Sequence, residues 1–132
     1  MAASLSSGFG GGMGRMREVC GSVSGMVMLA GLIKPAADPK DKVSRTANYT
    51  LVQEVAADFN ALNGSIVCRE LLGLSPMGTA TVNSSDIHGI PESPIPSDRT
   101  PEYYKKRPCE ELVGISARII GEKIIKNISQ TF

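Results

Sequence analysis

"DPKDKVSRTANYTLVQEVAADFNALNG", residues 38–64, decides the fold. Val43, Ala47, Leu51, Val55 and Phe59 recur every four residues, and Val52, Ala56 and Leu62 widen the stripe. That is the period of an amphipathic helix rather than of a strand. Asp38 is the expected N-cap, Pro39 fits the first turn, and Asp41 complements the helix dipole there. Gly64 is a natural stop. A helix from Pro39 to Asn63 would run about 37 Å at about 1.5 Å per residue.

The flanks extend the helical reading. Upstream, the chain can be helical from about Met16 to Leu32. There Gly21 and Gly25 share a face, Met26, Met28 and Leu29 supply soft apolar filling, and Pro35 ends the segment. Downstream, Ser65 is placed to cap a short helix, "IVCRELLG", that stops at Gly73. Residues 74–99 hold Pro76, Pro91, Pro94 and Pro96 among several serines and read as a long irregular loop. Thr100-Pro101-Glu102 looks like a further helix start. Pro108 opens the last helix, with Glu110 and Glu111 in its first turn. Cys109, Val113, Ala117, Ile120, Ile124 and Ile128 lie along one side of it. No strand pattern competes, and no internal repeat is present. The expected fold is all-α: a small helical bundle, one domain over residues 1–132, with a glycine-rich turn and one long proline-rich loop.

Composition narrows the function classes. The 132 residues are 42% hydrophobic and 20% charged, which suits a globular chain with a real core. Fourteen basic against thirteen acidic residues leave a net charge of +1, so no field favours nucleic acid or an anionic membrane. Aromatics at 5% offer no base-stacking platform. The longest apolar run, roughly Val23 to Ile33, is too short to span a bilayer. Arg15 and Arg17 before it imitate a signal peptide, but the glycine-rich start does not. A cytoplasmic protein is the expectation, in which the sequons at Asn48, Asn63, Asn83 and Asn127 carry no meaning.

"GFGGGMG", residues 8–14, carries too much glycine for regular structure. A dinucleotide fingerprint needs glycines at positions one, three and six. From Gly8, Gly10 or Gly12 the sixth residue is Met13, Arg15 or Arg17. No Gly-Lys-Ser/Thr run follows for a P-loop, and no strand precedes. A tight backbone turn is the plainer reading. His88, the only histidine, sits in the proline-rich loop near Asp86 and reads as solvated.

The three cysteines form no close pair and no CxxC, so neither a secreted disulfide framework nor a zinc ribbon is indicated. Their positions say more. Cys20, Cys68 and Cys109 each fall near the start of an expected helix, where the dipole favours thiolate over thiol. Each also has an arginine within three residues, Arg17, Arg69 and Arg107, which is close to chance at this basic content. Three unrelated buried cysteines remain the alternative.

Taken together, "SGFGGGMGRMREVCGSVSGMVMLAGL", then "CRELLG", then a single Cys109 opening the last helix resembles the C-GCAxxG-C-C family of redox-active proteins. In the resemblance, Cys20-Gly21-Ser22-Val23-Ser24-Gly25 stands for the second cysteine element, with Ser22 in the alanine position. Cys68 and Cys109 stand for the third and fourth cysteines. No cysteine precedes Cys20, so the helix that carries the family's first cysteine is expected to be missing or reduced to "MAASLSSGF". The resemblance implies that the glycine turn delivers Cys20 to a site shared with Cys68 and Cys109, while Gly21 and Gly25 let a neighbouring helix close in.

Two classes of function follow. One is a redox protein that uses the cysteines as a dithiol/disulfide with a redox partner protein, or as thiolate ligands of a metal or iron-sulfur cluster. The other is a helical interaction module that covers exposed apolar surface by oligomerising, as a homodimer. A metal-dependent enzyme would use residues 74–99 as a lid, with Tyr103, Tyr104, Lys105 and Lys106 lining the site. The plainer reading of those four residues is a solvated turn.

Overall fold

A computed structural model describes residues 1–74 and 93–131. It is built of helices with no sheet among the described residues: α1 (Ala2–Ser6), a 3-10 turn (Ser7–Phe9), α2 (Gly10–Met13), α3 (Gly21–Ile33), α4 (Lys42–Asn63), α5 (Cys68–Leu71), α6 (Pro101–Lys105) and α7 (Cys109–Thr131). The expected all-α bundle is what the chain forms.

The core is a three-helix arrangement. Val23, Met26 and Ala30 come from α3, Leu51, Val55 and Phe59 from α4, and Leu112, Ile119 and Ile120 from α7. All nine are buried. Phe59 and Val55 are fully enclosed, and burying such side chains stabilises by about 1.5–3 kcal/mol each. The α4 stripe is used only from Leu51 to Phe59, and Leu62, expected to widen it, is 68% exposed. Val43 is 81% exposed, and Ala47 is exposed too. The reason is length: the Asn48 side chain donates to the Lys34 carbonyl at 2.9 Å, level with the end of α3, so the turns of α4 before Asn48 project past its partner.

The boundaries depart from expectation in three places. The N-cap of α4 is Asp41, not Asp38: the Asp41 carboxylate accepts from the Ser44 N–H at 3.0 Å and the Ser44 hydroxyl at 2.6 Å. Asp38 instead accepts from the Lys40 N–H at 2.8 Å in the preceding turn. Helix α3 starts at Gly21 rather than near Met16, because the residues before it are committed to an extended pairing. The buried face of α7 is Leu112, Ser116, Ile119 and Ile120. Cys109, Val113 and Ala117 turn away from the core and line a cavity. Gly64, with φ +83°, ends α4 as expected, and Thr100 caps α6 by accepting from the Tyr103 N–H at 3.2 Å. Residues 75–92 of the expected loop, including Asp86 and His88, lie outside the described residues.

Candidate thiol site

The glycine run is a left-handed turn. Gly11, Gly12, Met13, Gly14 and Arg15 all have φ between +58° and +70°. The Glu18 N–H donates back to the Gly12 carbonyl at 3.0 Å and the Arg17 N–H to Gly11 at 3.1 Å. Left-handed backbone costs an L-residue roughly 1–2 kcal/mol, which glycine avoids. Three non-glycine residues, Met13, Arg15 and Arg17, nevertheless hold positive φ, and such strain persists only where surroundings over-determine it. Gly12 shows what does so here. A Cβ on it would meet the Cys68 Cβ at 2.6 Å and the Glu18 nitrogen at 2.8 Å.

The turn delivers the chain into a short extended pairing with the segment before α5. Val19 and Val67 form an antiparallel bridge, flanked by Cys20 N–H to the Ile66 carbonyl at 2.8 Å and Cys68 N–H to the Glu18 carbonyl at 2.6 Å. Side chains alternate along extended backbone, so Cys20 and Cys68 share the face opposite Val19 and Val67. They sit there as diagonal neighbours, a relation that spans about 7–8 Å between Cα atoms. One local pairing thus brings together two cysteines 48 positions apart in the sequence.

Each thiol has a distinct setting. Cys20 is the N-cap residue of α3. It is half-buried and in hydrogen-bond contact with the Ser22 hydroxyl at 3.1 Å. Cys68 opens α5 and is 7% exposed. Arg17, itself buried, places its guanidinium 3.9 Å from the Cys68 sulfur. Burial pushes the Cys68 thiol above its ordinary value; the Arg17 hydrogen bond and charge oppose this, and charge on Cys20 or Cys109 adds to the rise. Cys109 opens α7 and is exposed.

Cys20 and Cys109 both line a cavity of about 500 Å³ between the glycine turn, α3 and α7. Its walls include Phe9, Met26, Met28 and Ile120, none of which could be assigned to it from periodicity alone. Gly21 also lines it, held so close to the Phe9 carbonyl that a Cβ would lie 2.9 Å from that oxygen. Gly25 lines it too but has open space where a Cβ would be, so no helix among the described residues closes in there.

Sequence neighbours misassign the arginines. Arg17 serves Cys68 rather than Cys20, and the Arg107 guanidinium stacks over the Tyr103 ring at 4.7 Å. Tyr104, Lys105, Lys106 and Arg107 line a separate hollow of about 680 Å³ that contains none of the thiols. Among the described residues, no three His, Cys, Asp or Glu side chains are arranged to hold a metal ion. The expected Cys20, Cys68 and Cys109 ligand set is therefore not assembled in this conformation.

Residues 1–123 match the model of the family described as "Putative redox-active protein (C_GCAxxG_C_C)". The chain belongs to that family. No curated protein and no solved structure matches the chain. No helix among the described residues is long and apolar enough to cross a membrane.

Proposed function

We propose that this chain is a thiol-based redox protein in which Cys20 forms a reversible disulfide with one of its two neighbours, Cys68 or Cys109. The observation that supports it is the placement of Cys20. It shares one face of an extended pair with Cys68 and one cavity with Cys109. All three cysteines are free thiols in this structure. A disulfide needs Cα atoms roughly 4.4–6.8 Å apart, and diagonal neighbours across an extended pair typically stand about 7–8 Å apart, so joining Cys20 to Cys68 calls for a movement of the turn.

The step is a thiol–disulfide exchange. A thiolate attacks one sulfur of an external disulfide, whose other half leaves as a thiolate and takes up a proton. A second protein thiol then displaces the remaining half, so two electrons and two protons pass from the protein dithiol to the external disulfide. Cys109 and Cys20 are accessible enough to make the first attack. Cys68, buried and held toward the protonated form, is suited to the second.

The test is a redox titration in dithiol/disulfide buffers with thiols counted by mass. The parent chain should lose two thiols in one reversible two-electron step. Cys20→Ser should abolish that step, whereas one of Cys68→Ser and Cys109→Ser should retain it. A Cys20→Ser chain that still loses two thiols reversibly would remove this reading.

A further inference from the structure

Among the described residues, the walls of the cavity beside Cys20 and Cys109 contain no Lys, Arg, Asp, Glu or His. They are formed chiefly by Phe9, Met26, Met28, Leu29, Val113 and Ile120, with the two thiols set among them. The hollow at the start of α7 is unlike this: it is lined by Lys105, Lys106, Arg107, Glu110 and Glu111. A volume of about 500 Å³ lies within the roughly 300–1,000 Å³ of small-molecule sites. Methionine walls adapt to varied apolar shapes, and sulfur packs well on aromatic rings.

We infer that the cavity binds a small, uncharged, apolar organic disulfide and presents its sulfur–sulfur bond to Cys20 and Cys109. A charged disulfide bearing carboxylates would have to leave water for walls that hold no counter-charge, which is unfavourable. The inference rests on the thiol-exchange reading and specifies its substrate. Cys20 or Cys109 attacks one sulfur of the bound disulfide, and the ligand's S–S bond breaks as its other half departs with the electron pair and gains a proton. A neighbouring cysteine thiol then displaces the half left on the protein, giving a protein disulfide and two ligand thiols.

The experiment compares dithiodipyridine, uncharged at neutral pH, with the dianionic dithiobis(nitrobenzoate). Each rate at Cys20 and Cys109 is divided by the rate of a free cysteine amide with the same probe. The neutral probe should react at least tenfold faster by this measure, with saturation in probe concentration. The anionic probe should show no saturation. Val113→Asp, an exposed position on the cavity wall, should abolish saturation while leaving the helical circular dichroism unchanged.

A non-reducible mimic separates the two levels. Benzyl phenyl sulfide, an uncharged thioether of the same shape as an aryl disulfide, should protect Cys20 and Cys109 from iodoacetamide. Protection without any reversible protein disulfide would support the cavity and overturn the redox reading. Equal normalised rates for both probes, with no saturation and no protection, would overturn the cavity inference. So would protection that appears only as protein concentration rises, since a second copy would then be the occupant.

Discussion

Cys68 stands under two opposed influences, and the balance is measurable. Burial raises its thiol above the ordinary value of 9.0, while Arg17 pulls it down. In the parent chain, alkylation of Cys68 followed site by site by mass should therefore have its midpoint above pH 9.0. The same shift acts on folding. The folded state holds the Cys68 proton to higher pH than the unfolded chain does, so its contribution is intact below the unfolded value and is lost as pH rises through the folded one. Cys68→Ala should flatten that alkaline decline in a pH series of denaturant melts. A second residue-scale prediction concerns Gly12, where a Cβ would meet the Cys68 Cβ at 2.6 Å and where φ is +70°. Gly12→Ala should lose roughly 2–4 kcal/mol of unfolding free energy, from overpacking and left-handed strain together. A loss below about 0.5 kcal/mol would mean that the turn relaxes freely. The role of Gly12 was not legible in the sequence, because it depends on Cys68, 56 positions away. The service of Arg17 to Cys68 was hidden for the same reason. That Cys20, Cys68 and Cys109 each lie near a helix start was legible, but that Cys20 is itself the cap was not, because no cap or proline signal stands there and the helix was expected from Met16.

At the scale of elements, α4 offers the sharpest contrast between two aspartates. Asp41 accepts from both the backbone and the side chain of Ser44, and these bonds hold its carboxyl below the ordinary 3.8. Asp41→Ala should lower the Tm by several degrees, and Asp38→Ala should leave it nearly unchanged. The Asp41 contribution is present above the unfolded value and fades as pH falls through the depressed one, so Asp41→Asn should weaken the acid dependence of the melt. Farther along, Phe59 is fully buried where α3, α4 and α7 meet. Phe59→Ala should cost about 3–5 kcal/mol. Periodicity placed Leu51, Val55 and Phe59 in the core correctly. It could not show that Val43 and Ala47 overhang, because a stripe in one helix carries no information on where its partner ends. On α7 the apolar residues form two adjoining faces. One packs into the core, and the other, with Cys109 and Val113, borders a cavity. A single-sequence reading merges them into one stripe.

For the molecule as a whole, the helices act as a frame around a left-handed turn and a two-residue extended pairing. Those two features have no helical period and little sequence signature beyond glycine, yet they set where the thiols lie. The family pattern supplied the link between Cys20, Cys68 and Cys109 that spacing could not. The structure adds that Cys20 shares one face of the extended pair with Cys68 and one cavity wall with Cys109. The most direct test of that geometry is a short two-armed thiol reagent that fluoresces only when both arms have reacted, applied to the reduced monomer and mapped by mass. The account predicts an intrachain bridge that includes Cys20 and disappears in Cys20→Ser. Labelling in which each cysteine takes a separate reagent molecule, or in which bridges form only between chains, would contradict it.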